Sequence, residues 1–297
     1  MEVEGTSGAL MRTDAARNRV HAAACIAAVV CATIVGLAGC ATARGATGDA
    51  AGDAAPPATI AGTPDGIAPP RALTIHAIEP TVRTVSARDL VRAAGSVARY
   101  EILEGDPVGG EIVERMTHGS EADGATVLIR SEERDGRASE RMTLRAGDDG
   151  RIRLERVDSL LDRSRSEFAA PLLFAAEMSG DRALSATSPM TVLTLPALRK
   201  RAEGTTRRSL RIAGECDLDL FGDRVRAVAL DLEFDVELDV AVATVRSRLF
   251  VVPGRGVVAE VRSESRRVLG LFRTTTTETA ALRSVEEGAA PAGATAP

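Results

Sequence analysis

The ten residues from Asp231 to Val240, DLEFDVELDV, alternate strictly between carboxylate and apolar side chains. Side chains that alternate with period two point to opposite faces of a β-strand, so this stretch predicts a strand with one acidic and one apolar face. Neighbouring carboxylates on such a face lie about 6.7 Å apart, and their mutual repulsion predicts that basic side chains flank them. The acidic ladder consists of Asp231, Glu233, Asp235, Glu237 and Asp239.

The same alternation recurs along most of the chain, for example in ATVLIRS, ERMTLRA and RIRLERV, with Gly, Asp and Pro turns between the segments. Such spacing predicts an antiparallel all-β domain. We expect a mainly β fold built as a single curved antiparallel sheet or half-barrel, with a β-sandwich as the alternative. Two short helices are also expected. One is capped by Ser86, carries Asp89 in its first turn and stops at Gly95, and the other covers Ser159–Met178 with an interruption at Pro171.

The apolar positions change from even to odd numbers at Val240, which predicts a turn or bulge at 241–242. A two-residue turn there, and a three-residue loop in the preceding hairpin, place arginines from both neighbouring strands beside the acidic ladder. The expected register holds Asp235 between Arg211 and Arg248. The other expected pairs are Glu237 with Arg246, Arg207 with Asp239, Leu218 with Val228, Cys216 with Leu230, and Ile212 with Phe234.

The segment VHAAACIAAVVCATIVGLAGC follows three arginines and consists almost entirely of apolar and small residues. A basic head before an apolar run is the pattern of an export signal. The last four residues, Leu37-Ala38-Gly39-Cys40, resemble the lipobox of bacterial lipoproteins, in which the signal is cleaved before a cysteine that receives the lipid. The resemblance implies that Cys40 is the lipidated mature N-terminus. The alternative is an uncleaved transmembrane anchor, because the run approaches the ~17–25 residues that span a bilayer.

These features divide the chain into four parts. Residues 1–39 are expected to be a signal peptide, with Met11 as the true first residue because the segment before it is acidic. Residues 40–70 hold the lipidated cysteine and a run rich in Ala, Gly, Pro and Thr, which predicts a flexible linker. Residues 71–285 form the antiparallel β domain, and 286–297 are expected to be a disordered tail.

Composition narrows the class of function. The formal net charge of −5 argues against a nucleic-acid binder, which usually carries a basic patch. Of the four cysteines, Cys25 and Cys31 leave with the signal and Cys40 is lipidated, so an intramolecular disulfide is not expected in the mature chain. The remaining thiol, Cys216, is expected to be buried because it shares an apolar strand face with Leu218 and Ile212.

Residues that could carry chemistry are few. The sequence contains no HExxH, GxSxG or GxxxxGK[ST] motif, and neither His76 nor His118 has metal-ligand spacing. The stretch DLDLFGD resembles the start of an EF-hand loop, but Phe221 and Val228 occupy places where calcium ligands belong. We therefore expect no catalytic residue, metal ion or cofactor. We interpret the acidic ladder as a solvated face flanked by arginines, with weak divalent-cation binding or a basic partner protein as alternatives.

The segments GECDLDLFGDRVRAVALDLEF and SRLFVVPGRGVVAEVRSE are similar to the end of uncharacterised exported β-rich bacterial domains. In those domains a long curved antiparallel sheet ends in an apolar strand, a Pro-Gly-x-Gly turn and a final strand. The outline also resembles bacterial lipoprotein carriers, whose concave face holds acyl chains. In lipoproteins, an Asp after the lipidated cysteine implies retention in the inner membrane. Ala41 at that place implies the outer membrane, with the domain facing the periplasm.

These resemblances imply a lipid-anchored cell-envelope protein whose β domain binds or scaffolds without catalysis. The expected partners are the membrane, through the lipid on Cys40, and either an apolar ligand or another envelope protein. One alternative is a carrier that holds an apolar ligand or lipid on the concave sheet face. The other is a hydrolase without a recognisable motif.

Overall fold

The structure is a computed structural model that describes residues 72–121, 126–180 and 182–287. Three of the expected features lie outside these residues: the signal peptide 1–39, the linker 40–70 and the lipidation site Cys40. Of the expected tail 286–297, only residues 286 and 287 are described, and the last strand ends at Glu286.

Fifteen strands and one helix make up the described chain. The helix is α1 (Ala87–Leu90). The strands are β1 (Leu73–Ile75), β2 (Thr84–Val85), β3 (Val97–Glu104), β4 (Glu111–Ser120), β5 (Thr126–Arg134), β6 (Arg137–Ala146), β7 (Ile152–Ser159), β8 (Ser164–Ala175), β9 (Met178–Ser179), β10 (Leu184–Thr194), β11 (Arg199–Leu220), β12 (Asp223–Leu238), β13 (Ala241–Val252), β14 (Gly256–Val268) and β15 (Phe272–Glu286).

Twelve of these strands close into an antiparallel barrel. The order around the wall is β11-β10-β8-β7-β6-β5-β4-β3-β15-β14-β13-β12, and β12 pairs with β11 to complete the circle. The expectation of a mainly β fold is confirmed, but an open curved sheet, a half-barrel and a sandwich are all wrong. The reason is β11, which is 22 residues long and pairs with β10 on one edge and with β12 on the other. Closure pairs each of these twelve strands with a neighbour on both sides, although the first residues of β15, 272–278, extend beyond the end of β3.

The first predicted helix forms and the second does not. Ser86 and Asp89 make a capping box at the start of α1, although the helix ends at Leu90 rather than at Gly95. The segment Ser159–Met178 is instead occupied mainly by β8. Its Pro171 lies where the register between β7 and β8 shifts, and an irregularity of that kind tolerates a residue without a backbone N–H.

No helix within 72–121, 126–180 or 182–287 has the length and apolar character needed to cross a bilayer.

The barrel interior, which we call the lumen, contains the larger apolar core. Side chains from β6, β7, β8 and β10–β13 form it, and Ala87 of α1 and Val91, which follows the helix, pack against the same cluster. Phe234 is fully buried among these side chains. The even-numbered residues of the acidic strand thus face the lumen, while Asp231 and Glu233 on the opposite face are partly exposed. The predicted assignment of faces in this strand is confirmed.

The predicted register of the acidic ladder is wrong by four residues, and the predicted partners of Cys216 and Leu218, beyond the bulge in β11, are wrong by three. Asp231, not Asp235, lies opposite both Arg211 and Arg248, because the two turns fall at 221–222 and 239–240. Other observed partners are Glu233 with Arg246, Glu237 with Val242, Asp235 with Thr244 and Arg207, Ile212 with Leu230, Cys216 with Ala227, and Leu218 with Val225. A shift by an even number preserves the faces, which is why arginines still flank the ladder.

A bulge in β11 separates Cys216 from Ile212. The register shifts between Ile212 and Gly214, so the residues that follow turn to the opposite face of the sheet. Cys216 packs with Leu218 and Phe250 in a second core cluster, whereas Ile212 belongs to the lumenal cluster. Cys216 is buried as predicted, and burial raises the pKa of its thiol to about 11. The predicted face shared with Ile212 is wrong.

Substitutions of Asp231 test the observed register. Its carboxylate accepts hydrogen bonds from Arg211 and Arg248, each at 2.9 Å. Asp231→Asn should lower the free energy of unfolding by up to about 1 kcal/mol, because exposed ion pairs stabilise weakly, and Asp231→Lys should lower it further. Urea unfolding at low and high salt measures both effects. The matched control is Asp235→Asn, whose side chain accepts a hydrogen bond from Thr244 at 2.8 Å. A larger, more salt-sensitive effect at Asp235 would contradict this register.

Candidate functional site

Charged side chains point into the lumen from β14. Glu260, Arg262 and Glu264 are at most 3% exposed, whereas Val261 is 37% exposed and Ser263 lies outside with it. This arrangement inverts the usual pattern, in which charges face water and aliphatic side chains face the core. A register shift between β13 and β14, next to Phe250 and Val251, precedes these residues and sets which of them face inward.

The strands β4, β5 and β6 place a second group of charges on the same inner surface. Glu114 pairs with Glu132 across β4 and β5, and Glu132 pairs with Glu140 across β5 and β6. Arg130 and Arg134 alternate with Glu132 on the inward face of β5. We call the two groups together the lumenal charge cluster. Its members are Glu114, Arg130, Glu132, Arg134, Glu140, Glu260, Arg262, Glu264 and Glu278.

The ion pair between Arg134 and Glu278 joins β5 to β15. Two hydrogen bonds of 3.0 and 3.1 Å form a bidentate contact between the guanidinium and the carboxylate. Because β4 and β3 separate these strands along the wall, the contact bridges the β3–β4 hairpin, and the Glu278 side chain lies beside Gly105 in its turn. Arg134 also donates to Glu132 at 3.0 Å. Burial alone would lower the pKa of Arg134, but the charges of Glu132 and Glu278 outweigh it and raise the pKa.

A second ion pair lies deeper along the same strands. Arg130 and Glu114 approach to 2.6 Å with side chains only 12 and 11% exposed. Burial acts to lower the pKa of Arg130, yet the neighbouring carboxylates Glu114, Glu132 and Glu140 raise it overall. On β14, Arg262 pairs with Glu264 at 2.9 Å, and Glu264 also contacts Arg266.

Glu132 and Glu140 form a carboxylate pair that is sealed from water. They are 2 and 4% exposed and lie directly opposite each other in the register. One oxygen of each, Oε2, accepts no hydrogen bond from the described residues. Burial, together with the charge of Glu132, raises the pKa of Glu140 well above its ordinary value. This arrangement favours a protonated Glu140 and can retain a proton in the closed barrel.

A small cavity of about 50 Å³ lies between the charge cluster and the apolar core. Arg208 borders it, donates to the Leu173 carbonyl at 3.0 Å and stacks on the Phe174 ring at 5.0 Å. Among the described residues no carboxylate lies within ion-pair distance of Arg208, and burial lowers its pKa to about 10. A cavity of this size holds a few water molecules, whereas sites for drug-sized ligands measure roughly 300–1,000 Å³.

The predicted site residues lie elsewhere. Cys40 is outside the described residues. His76 Nε2 lies 2.9 Å from Asp219, and His118 is exposed on β4. The calcium-like stretch is paired with arginines, since Asp217 accepts from Arg224 at 2.7 Å, and these contacts lower the pKa of Asp217. Within the described ranges, no group of three or more His, Cys, Asp or Glu side chains is arranged to hold a metal ion.

Sequence reasoning missed the lumenal charge cluster. Alternation in VVAEVRSESRRV suggests that Val261 faces the core and that the charges face water, and the structure reverses this. The sequence does contain one signal: three charged residues in succession, Glu260, Arg262 and Glu264, occupy even-numbered positions and therefore lie on the same face of the strand. That signal looks the same whether the charged face is wet or buried.

No protein-family model, no curated protein and no solved structure matches this chain.

Glu260→Gln tests whether the lumen holds an uncharged carboxyl group. Burial raises the pKa of Glu260 from 4.5 to about 7, while the positive charge of Arg262 opposes the shift. A carboxyl group whose pKa is higher in the folded state stabilises the fold while protonated, and that stability is lost as pH rises from 4.5 through 7. The wild-type free energy of unfolding should therefore fall, relative to the Glu260→Gln variant, by about 3 kcal/mol between pH 4 and pH 8.

Chemical denaturation across this pH range measures the difference. Glu237→Gln, on the exposed outer face of β12, is the matched control and should change with pH as the wild type does. If the Glu260→Gln variant follows the wild-type pH profile, Glu260 ionises as freely in the fold as in the unfolded chain, and the sealed lumen is wrong.

Proposed function

We propose that the protein is a lipid-anchored component of the bacterial cell envelope whose barrel binds or scaffolds other envelope components through its outer surface. The lipid is attached to Cys40 after cleavage of the signal, and the linker 40–70 leads to the barrel. Ala41 directs the mature protein to the outer membrane, with the barrel facing the periplasm. The support for the anchor is the sequence Leu37-Ala38-Gly39-Cys40 behind a basic, apolar leader.

The packing of the lumen is the observation that favours binding of a partner to the outer surface of the barrel. Apolar side chains occupy one part of the interior and the lumenal charge cluster occupies the other, and the cavity between them measures about 50 Å³. An acyl chain needs a continuous apolar cavity several times larger. Carriage of a lipid inside the barrel is therefore not favoured, and the surface available to a partner is the outer wall and the two ends.

Catalysis inside the barrel is not favoured for a related reason. A hydrolase of the acid–base type needs carboxyl groups that reach the substrate. Burial raises the pKa of Glu140, which lies opposite Glu132, and both side chains are almost fully buried behind the barrel wall. They are placed to set the charge balance of the interior rather than to meet a substrate.

Lipidation of Cys40 is the first test. In a bacterial host that processes lipoproteins, the wild-type chain should incorporate an alkyne-labelled fatty acid, and mass spectrometry should find the acylated cysteine at the mature N-terminus. Cys40→Ser should abolish labelling and release the protein from membranes after a carbonate wash. Cys31→Ser, which changes a cysteine inside the apolar run, is the matched control and should keep the label. A Cys40→Ser chain that stays in washed membranes would indicate an uncleaved transmembrane anchor.

A further inference from the structure

The exposed apolar side chains of the barrel are concentrated at one end. Successive turns of an antiparallel barrel alternate between its two ends, so the turns at 160–163, 195–198, 239–240 and 269–271 share one end with those at 105–110 and 135–136. Seven of the ten exposed large hydrophobic residues in the described chain lie in or beside these turns. They are Val108, Leu161, Leu198, Val242, Leu269, Leu271 and Phe272, whereas Ile75, Val82 and Val261 lie elsewhere.

Four of these turns form one continuous surface. The backbone N–H of Leu195 donates to the Arg163 carbonyl at 2.7 Å, which joins the turn after β7 to the turn after β10. The Leu269 N–H donates to the Val240 carbonyl at 2.9 Å, which joins the turn after β14 to the turn after β12. Pairing of β11 with β12 connects the two halves. We call this surface, residues 160–163, 195–200, 239–242 and 267–273, the apolar rim.

The charge of the apolar rim is opposite in sign to that of the protein. The whole chain carries a formal net charge of −5. The rim contains five basic residues and two acidic residues, Asp162 and Asp239. Its basic residues are all exposed: Arg163, Arg199, Lys200, Arg267 and Arg273. Lys200 contacts Glu203 just outside the rim, and the other four have no described ion pair within salt-bridge distance.

Protruding apolar side chains between basic residues match the chemistry of a lipid surface. Leu271 and Phe272 are 81 and 58% exposed at the tip of the hairpin between β14 and β15. Side chains of this kind enter the boundary between headgroups and acyl chains, while basic residues nearby are attracted to anionic headgroups. We propose that the apolar rim binds the surface of a bilayer containing anionic lipids, with Leu271 and Phe272 inserted below the headgroups.

This contact goes beyond the lipid anchor and does not depend on it. The described chain enters the barrel at the opposite end, where the Ala72 carbonyl accepts from the Phe221 N–H at 2.8 Å in the turn between β11 and β12. The segment that leads back to Cys40 therefore starts away from the rim. A rim that binds lipid gives the barrel a second attachment, through side chains instead of an acyl group.

The absence of tryptophan from the sequence allows a specific reporter. Phe272→Trp places the chain's only indole at the tip of the rim, and Leu271→Trp provides a second position whose side chain has ample space. Val261→Trp, on the outer wall of β14 with 37% exposure, is the matched control. The full chain carrying each substitution is mixed with vesicles of phosphatidylglycerol and phosphatidylcholine whose acyl chains are brominated, and indole emission is recorded.

Insertion of the rim should shift the emission of the Phe272→Trp and Leu271→Trp variants to shorter wavelength, and the brominated chains should quench it. The Val261→Trp variant should keep its emission even if the N-terminal leader holds the chain on the same vesicle. Replacing Arg199, Lys200 and Arg267 by Gln should abolish the quenching of the rim indole. Salt at 1 M should weaken it, because the Debye length falls to about 3 Å.

Three results would overturn the proposal: no quenching at positions 271 and 272, equal quenching at position 261, or equal quenching in vesicles of phosphatidylcholine alone. Failure of lipidation at Cys40 would leave these readings unchanged, since each variant carries the same N-terminal segment. The two proposals can therefore fail separately.

Discussion

Arg134 and Glu278 form a bidentate ion pair that joins β5 to β15 over the β3–β4 hairpin, which lies between them along the wall. A buried ion loses several kcal/mol of hydration, so an unpaired charge at either position would be costly. The pairing of Glu132 and Glu114 with neighbouring arginines follows from the same requirement. Burial raises the pKa of the carboxyl groups of Glu140 and Glu260, which favours their protonated forms and reduces the negative charge of the interior.

Closure of the wall makes this interior possible. A sheet with open edges would admit water to the charge cluster, and the carboxyl groups would ionise at their ordinary pKa. The pairing of β11 with β12 closes the circle of strands, while α1 packs on the lumenal core and accepts a hydrogen bond from Gly254 through Asp89. The side chains of the interior then stabilise the fold, and the outer surface is the part of the barrel that a partner can contact. The apolar rim and Ala72, where the described chain begins, lie at opposite ends of the barrel.

The parts of the fold that could be predicted from the sequence are those in which one strand face is wet. In Asp231–Val240 the carboxylates face water and the aliphatic side chains face the core, so alternation assigns the faces correctly. The register failed by four residues because no strong turn residue marks the hairpin at 239–240, and because the bulge after Ile212 adds a residue. The helix predicted over Ser159–Met178 failed because Ala and Leu near Pro171 suit a helix as well as an irregular strand.

The lumenal charge cluster could not be predicted by the same reasoning. Whether Glu260 and Arg262 face inward depends on a register shift one hairpin earlier and on closure between strands that are far apart in sequence. Alternation shows which residues share a strand face, but it does not show which of the two faces the barrel encloses. The apolar rim could not be predicted for a different reason. Its residues belong to separate turns, and only the closed barrel brings those turns to one end.

A double-mutant cycle on Arg134 and Glu278 tests most directly whether paired charges hold the interior together. We expect Arg134→Met and Glu278→Leu each to lower the free energy of unfolding by roughly 3–5 kcal/mol, because Arg134→Met removes the guanidinium from Glu278 and Glu132, and Glu278→Leu removes the bidentate partner of the buried Arg134. The double variant should lose at least about 2 kcal/mol less than the sum of the two, since it removes both charges at once. Costs that add to within about 0.5 kcal/mol would mean that the two side chains act independently. The account of a lumen organised by its buried ion pairs would then be contradicted.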